Sequence, residues 1–212
     1  MAKKLLASVM AFALCLFVSA ADMVVKGKNG EDRKINVVDT SETFLRFKIL
    51  SDSTVELTNE SSYRGHESIT IPEKVRIGGK VYTMTNIGKE AFKYCSRLTS
   101  INIPKSVTSI GGSAFWGCSS LTSINIPEGV TSIGDWAFYG CSSLTNIKIP
   151  EGVTSIRYRA FEGCGSLNSI KIPEGVTSIE ELAFYECSSL EPELLVYDKG
   201  TKCYGWIGDK KK

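Results

Sequence analysis

Five consecutive copies of a 23-residue repeat constrain the fold of this chain more than any other feature. Every copy contains a landmark isoleucine, then an Ala-Phe pair, a cysteine and a leucine. The isoleucines are Ile87, Ile110, Ile133, Ile156 and Ile179, and the cysteines are Cys95, Cys118, Cys141, Cys164 and Cys187. A fixed period of this length indicates a stack of similar units, each contacting its neighbours. The sequence therefore predicts a repeat solenoid.

One copy can be interpreted as a single turn of that solenoid. Ile124 and Ile126 lie two residues apart, which is the period of a strand, and Pro127 ends the strand because proline has no N–H to donate. The Ala-Phe-x-x-Cys segment suits one short helical or 3₁₀ turn. No single copy can bury all its apolar side chains alone, so we expect the copies to stack into one core.

The repeat LxxIxIPxxVxxIGxxAFxxC resembles the leucine-rich repeats of the BspA-like family of bacterial surface proteins, over about residues 68 to 190. The resemblance implies a right-handed coil with parallel β-strands on one face and short helical or 3₁₀ turns on the other. It also implies adhesion, either to host extracellular matrix proteins or between bacteria. Two copies depart from the pattern, since Arg157 and Glu180 replace the glycine after the landmark isoleucine, and we expect a looser turn there.

The start of the chain has the pattern of a secretory signal peptide over residues 1–20. Lys3 and Lys4 precede an apolar run, and small residues follow it at Ser19 and Ala20. We therefore expect an exported protein, extracellular or at a bacterial cell surface, with no transmembrane segment once the signal is removed. Removing Lys3 and Lys4 from the 25 basic residues leaves 23, against 23 acidic ones, and this balance gives no general attraction to nucleic acid.

The segments around the repeats have other patterns. Residues 21–43 are polar and are expected to be loosely ordered. Residues 44–86 are predicted to form a β-rich N-terminal cap and the first rung, with hairpins at Ser51-Asp52-Ser53 and Gly78-Gly79. Residues 87–190 are the five repeats, and residues 191–212 are predicted to form a C-terminal capping rung and a basic tail.

The five repeated cysteines admit three interpretations. Equivalent positions in stacked rungs are close enough for disulfides, but their side chains run parallel, so we favour a buried column of free thiols. A Cys187–Cys203 disulfide is the main alternative. Zinc is the weakest, because the chain has no CxxC pair and His66 is its only histidine.

The sequence offers no basis for catalysis. One histidine cannot support the usual nucleophilic arrangements, and no GxSxG, HExxH or phosphate-binding glycine loop occurs. We therefore predict a protein that is not an enzyme, with no catalytic residue, no metal site and no cofactor.

Two sets of residues that vary between copies are candidate binding surfaces. The first, which we call the strand face, is polar and becomes basic toward the C-terminus; it contains Asn102, Asn125, Lys148 and Lys171, with Ser123 and Asn146 beside them. The strands hold no acidic residue that would offset the two lysines. The second is a set of aromatic residues near the Ala-Phe pairs, namely Trp116, Trp136, Tyr139, Tyr158 and Tyr185.

These two sets suggest a binding scaffold for a protein ligand, in line with the adhesion that the resemblance implies. A glycan-binding module that uses exposed Trp and Tyr is the second hypothesis, because aromatic side chains can stack on sugars. A purely structural component of the cell envelope is the third. Packing of the aromatic residues against each other between rungs would also explain the second set without any ligand.

Overall fold

The structure, a computed structural model, describes residues 21–26, 32–190, 195–198 and 203–206. The predicted signal peptide at residues 1–20 lies outside the described residues. The strands are β1 (Ala21–Lys26), β2 (Asp32–Asp39), β3 (Phe47–Ile49), β4 (Thr54–Leu57), β5 (Ser68–Thr70), β6 (Lys74–Ile77), β7 (Lys80–Ile87), β8 (Ser100–Asn102), β9 (Ser109–Ile110), β10 (Ser123–Ile124), β11 (Ser132–Ile133), β12 (Asn146–Lys148), β13 (Ser155–Ile156), β14 (Ser169–Lys171), β15 (Ser178–Ile179), β16 (Leu195–Asp198) and β17 (Cys203–Trp206). Two short 3₁₀ helices lie at Thr40–Glu42 and Ser61–Gly65.

The first strand column consists of the strands that precede each proline, β5, β8, β10, β12 and β14. They pair in parallel and in register, so that Ile124 lies opposite Ile147, and Ile147 opposite Ile170. The step from β8 to β10 has no strand pairing. Every isoleucine of this column is buried and its neighbours along the strand are exposed, because side chains alternate between the two faces of a strand.

The second strand column consists of the end of β7 together with β9, β11, β13 and β15. Each of these strands ends at a landmark isoleucine. Its pairs are also parallel, with Ile87 opposite Ile110 and Ile110 opposite Ile133. Pairing resumes between β13 and β15, where Ile156 lies opposite Ile179. The step from β11 to β13 has no strand pairing.

The turn column is formed by the Ala-Phe segments, and it joins the rungs through backbone hydrogen bonds. At each step three alternate N–H groups donate to carbonyls of the next rung. In one step the donors are Ser113, Phe115 and Gly117, and the acceptors are Asp135, Ala137 and Tyr139. The N–H groups between them donate within their own rung, three residues back. The prediction of a short helical or 3₁₀ turn is met only in part: the bonds three residues back are those of single 3₁₀-type turns, but they form a chain of turns and no helix occurs there.

Left-handed backbone explains this pattern in the turn column. The residue before each alanine has a positive φ, from 53° at Trp136 to 59° at Glu90, and so does the residue before each cysteine. Such residues break the regular helical path, which leaves alternate N–H groups free to reach the neighbouring rung. Glycine occupies the second of these positions in the three middle rungs, at Gly117, Gly140 and Gly163.

One core runs through the whole stack. The phenylalanines stack with near-parallel rings. The ring centroids lie 5.2 Å apart between Phe115 and Phe138 and 5.3 Å apart between Phe138 and Phe161. Tyr63 extends this row beyond the first repeat, at 5.5 Å from Phe92. Each large side chain buried in this way contributes roughly 1.5–3 kcal/mol.

The segments before the repeats contain antiparallel pairs. The two predicted hairpins are present, since β3 pairs with β4 and β6 with β7, the latter through Gly78 and Gly79 with positive φ. The expectation that residues 21–43 are loosely ordered stays a prediction; in the described part of this segment β1 and β2 pair antiparallel, and β2 continues in parallel with β6. The backbone N–H and C=O groups of this polar segment thus find partners in the sheet of the hairpins.

The segment after the repeats differs from the expected capping rung. Strands β16 and β17 pair antiparallel, with Leu195 opposite Trp206, so this part is a hairpin rather than one more parallel rung. Nowhere in the described ranges does a helix have the length and apolar character needed to span a membrane.

Candidate functional site

The structure brings the residues of the strand face together on one exposed surface. Asn146 lies opposite Ser169 and Lys148 opposite Lys171 in the parallel ladder, and Ser123 lies opposite Asn146. All six predicted residues are exposed, whereas the isoleucines between them are buried. Neighbouring strands lie about 4.8 Å apart, so a ligand can contact several rungs at once.

The charge of this surface differs from the prediction at Lys148. The Nζ of Lys148 lies 2.5 Å from Oε1 of Glu128, which follows the proline of the preceding rung. This hydrogen bond lowers the pKa of the Glu128 carboxyl and raises the pKa of the Lys148 ammonium. The expectation that nothing offsets the lysines considered only the strands, and it is wrong for Lys148. Within the described chain Lys171 has no ion pair, so the unbalanced positive charge lies at that end.

Four of the five predicted aromatic residues form a packed cluster on the turn column. Trp116 stacks on Trp136 with centroids 6.3 Å apart and contacts Tyr139 at 4.8 Å, while Trp136 meets Tyr158 edge-on at 5.3 Å. All four are partly buried. Tyr185 is separate: it is 46% exposed and makes no ring contact with another described aromatic residue. Much of this set is thus explained by packing between rungs.

Cations cover part of the aromatic cluster. The Nζ of Lys93 lies 4.7 Å from the Trp116 ring centroid, and the guanidinium of Arg159 lies 5.1 Å from that of Tyr158. Such cation–π contacts are worth about 0.5–1 kcal/mol at exposed sites. Both cations thus lie over the ends of the cluster, at Trp116 and Tyr158. On another side, Trp116 and Trp136 border the second strand column.

A groove of about 670 Å³ opens on that side, between the aromatic cluster and the second strand column. Trp116 and Trp136 line one wall. The other wall is lined by the serines of β11 and β13 and by the threonine before each of them, namely Thr131, Ser132, Thr154 and Ser155. Asp135 and Arg157 lie at its end and are joined by an ion pair of 3.1 Å. Sequence reasoning singled out only the two tryptophans of this groove. The replacement of glycine by Arg157 was the signal that could have located it.

Arg157 and Glu180, the two departures from the glycine pattern, behave differently. The N–H of Gly134 donates to Ile110 O and that of Glu180 to Ile156 O, at 2.9 and 2.8 Å. The corresponding bond from Arg157 to Ile133 is absent, although both residues are described. The expected looser turn is therefore found at Arg157 only. At Glu180 the carboxylate pairs with Arg157 and accepts the N–H of Tyr158 at 3.0 Å, which holds those two rungs together.

The repeated cysteines lie in the core as free, buried thiols. The Sγ of four of them donates to the carbonyl of the phenylalanine one rung back, as from Cys141 to Phe115 O at 3.2 Å. Burial raises the pKa of the Cys95 thiol to about 11 and that of Cys141 to about 12, so both stay protonated. The side chain of Cys203 lies outside the described residues, so the Cys187–Cys203 disulfide stays a prediction.

The remaining acidic residues do not assemble into a metal site. Over the part of the chain that the structure describes, no three His, Cys, Asp or Glu side chains converge. Glu162 is the one buried carboxylate there, only 5% exposed, and it lies beside Arg159 in the turn column. Its Oε2 has no hydrogen-bond donor.

The parallel columns and the stacked core define a leucine-rich repeat protein. The model of the BspA-type leucine-rich repeat region matches residues 61–191 in six copies. The chain therefore belongs to the BspA-type leucine-rich repeat family, which confirms the resemblance seen in the sequence. The sixth copy adds the rung around β5 to the five repeats counted there. No curated protein matches the sequence.

Solved structures of bacterial leucine-rich repeat proteins are similar to this chain. A leucine-rich repeat protein from Eubacterium ventriosum is 23% identical, with a TM-score of 0.55, and the match covers 68% of this chain and 38% of that one. A leucine-rich cell surface protein from Faecalibacterium prausnitzii is 29% identical, with a TM-score of 0.47, over 73% of this chain and 55% of that one. A leucine-rich repeat protein from Bacteroides ovatus is 30% identical, with a TM-score of 0.43, over 69% and 50%. The chain thus spans about half the length of the latter two.

Proposed function

We propose that this protein is an exported, surface-displayed scaffold without enzymatic activity, which binds a protein partner through its strand face. The observation that carries the proposal is the exposure of a polar row on the five rungs of the first strand column, whose strands pair in parallel except between β8 and β10. Solenoids use such surfaces for binding, because side chains from successive rungs act on one partner. Adhesion to host matrix proteins or to other cells is the role that the family suggests.

Three further features belong to this proposal. A bacterial cell-surface location is supported by the signal-like residues 1–20 and by the name of the Faecalibacterium prausnitzii protein. A right-handed coil is supported by the strong preference of parallel strand connections for that hand. A capping role for the N-terminal hairpins is supported by their pairing with the first strand of the second strand column, since β7 pairs with β4 and β6 as well as with β9.

The charge at the basic end of the strand face suggests a partner with an acidic surface. Lys171 carries the unpaired charge, whereas Lys148 is neutralised in part by Glu128. Lys171→Glu should therefore weaken binding more than Lys148→Glu, and the double reversal should weaken it most and reduce its dependence on salt. This order of effects differs from that expected if both lysines were free.

Binding of the full chain to immobilised fibronectin, laminin and type I collagen, measured by biolayer interferometry at two salt concentrations, tests the proposal. Lys48→Glu makes the same charge change at an exposed site in β3 and is the matched control. Loss of binding in the strand-face variants but not in the control supports the proposal. Equal binding by all variants would move the site elsewhere, and no binding to any matrix protein would favour a structural component of the envelope.

A further inference from the structure

The second strand column opens at a single described step, and that step coincides with the groove. At the other steps the threonine before the strand also donates to the previous rung, as from Thr131 to Thr108 at 3.0 Å and from Thr177 to Thr154 at 2.9 Å. The bond from Thr154 to Thr131 is missing, as is the bond from Arg157 to Ile133, although these residues are all described. The carbonyls of Thr131 and Ile133 consequently lose the donors that their equivalents have.

The opening lies at a position where other rungs have glycine. A Cβ placed on Gly134 would come within 2.4 Å of Gly112 N, so the rungs there can approach only because glycine has no side chain. Arg157 occupies the same position one rung later. The backbone bond is missing at this step, although Glu180, which also replaces a glycine, keeps its bond to Ile156 O at 2.8 Å. The opening thus accompanies Arg157 in particular, whose ion pair with Asp135 spans the gap at 3.1 Å.

We propose that this groove is a binding site for a neutral oligosaccharide. The indoles of Trp116 and Trp136 supply flat apolar surfaces on which the C–H faces of pyranose rings can stack. The opposite wall supplies the hydroxyls of Thr131, Ser132 and Thr154 and the unpaired carbonyl of Thr131, which can bond sugar hydroxyls. Asp135 adds an acceptor and Arg157 a fork of donors, a pair suited to adjacent hydroxyl groups.

Charge and size decide between classes of ligand. The charged residues of the groove are Lys89 and Arg157 against Glu90 and Asp135, which balance each other, so an acidic glycan gains no advantage. A volume of about 670 Å³ lies in the range of small-molecule sites, about 300–1,000 Å³, and fits a few sugar units rather than a folded domain. The strand face and this groove are made of different residues, so they can be tested separately.

Intrinsic fluorescence and isothermal titration calorimetry of the full chain with neutral tetrasaccharides test the site. The panel contains cellotetraose, chitotetraose, maltotetraose, mannotetraose and xylotetraose, with tetragalacturonate as the acidic comparison. At least one neutral member should bind and change the tryptophan emission, because two of the chain's three tryptophans line the groove. No binding by any neutral member at about 10 mM, or stronger binding of tetragalacturonate, overturns the proposal.

Three substitutions locate the binding. Trp136→Ala removes a stacking surface, Asp135→Asn removes the charge of the ion pair, and Arg157→Gly allows the two rungs to close. Each should weaken binding by at least about tenfold. Circular dichroism checks the fold, and Asp135→Asn, a change at a partly exposed side chain, keeps the test valid if Trp136→Ala does not fold. The Lys148→Glu, Lys171→Glu double variant is the control and should bind the sugar as the parent does. Unchanged affinity in the folded groove variants would place the sugar elsewhere.

Discussion

The turn column and the second strand column both join one rung to the next, but they do so with different tolerance for side chains. The turn column keeps three hydrogen bonds at every step from the rung of Phe92 to that of Phe184. The second strand column loses its pairing at one step, where Arg157 takes the place of a glycine. Cohesion of the stack therefore depends most on the turn column, and the strand column is where the sequence can open a groove.

Backbone geometry explains this difference in tolerance. In the turn column the left-handed residues before each alanine are all non-glycine, including Trp136 and Leu182, and all of them except Ser113 keep part of the side chain exposed. In the second strand column the glycines face backbone atoms of the previous rung, as Gly134 faces Gly112. A side chain costs a strained φ in the first case, whereas in the second a Cβ on Gly134 would clash with the backbone of the previous rung.

The largest expected effect tests the cohesion of the turn column. Phe138→Ala removes a ring stacked between Phe115 and Phe161 and should lower the free energy of unfolding by about 3–5 kcal/mol. Phe184→Ala should cost less, because Phe184 stacks on Phe161 and is 5% exposed rather than fully buried. Urea unfolding of both variants measures the two losses. Equal losses would contradict a stack in which each rung is stabilised by both neighbours.

A smaller effect is expected at the tight steps of the second strand column. Gly134→Ala places a Cβ 2.4 Å from Gly112 N, and because a backbone atom cannot give way easily, it should cost about 1–3 kcal/mol. Gly165→Ala is the matched control, since the nearest atom to its Cβ is the side-chain Oγ of Ser188 at 3.5 Å. The difference between the two, measured by urea unfolding, isolates the close approach of the rungs. If both variants lose the same free energy, the close approach of Gly134 to Gly112 does not require glycine.

The sequence predicted the columns well because their cause is periodic. A 23-residue period fixes which side chains are buried, and the landmark isoleucines, the phenylalanines of the Ala-Phe pairs and the repeated cysteines all lie in the core. The strand face followed from the same alternation. These features depend on what every copy shares, so one pattern was enough to predict them.

Other features depend on what differs between copies or on backbone geometry, and the sequence did not show them. Left-handed φ at Glu90 and Trp136 has no residue signature, since neither is glycine. The Glu128–Lys148 pair joins positions 20 residues apart, which are neighbours only after the rungs stack. The groove needed both the substitution at Arg157 and the distance between Gly134 and Gly112, and only the first is visible in the sequence.

A third prediction isolates the cost of left-handed backbone in the turn column. Gly140 has φ of 67°, and a Cβ there would meet nothing closer than 3.9 Å, so Gly140→Ala tests conformation without a clash. It should lower the free energy of unfolding by about 1 kcal/mol. Glu186→Gly, at the equivalent position of the last repeat with φ of 58°, should change it in the opposite direction. Thermal unfolding of the pair measures both, and a loss in Glu186→Gly would show that its side chain contributes more than the strain costs.

The smallest expected effect concerns the charge that the turn column buries. Desolvation raises the pKa of the Glu162 carboxyl above its usual 4.5, against the opposing effect of Arg159. A raised pKa in the folded state means that folding favours the protonated form, so ionised Glu162 destabilises the protein at neutral pH. That cost disappears as the pH falls through the raised pKa and below about 4.5. Glu162→Gln should therefore be more stable than the parent at pH 7, by about 1 kcal/mol or less, and the advantage should vanish near pH 4.

Thermal unfolding of the Glu162→Gln variant and the parent across this pH range measures that advantage. Glu174→Gln, a change at an exposed carboxylate, is the control and should shift little. An advantage that stays constant with pH would show that it does not come from ionisation. A variant less stable than the parent at pH 7 would show instead that the ion pair with Arg159 more than offsets the cost of burial. In that case the turn column would tolerate a buried charge as readily as it tolerates left-handed residues.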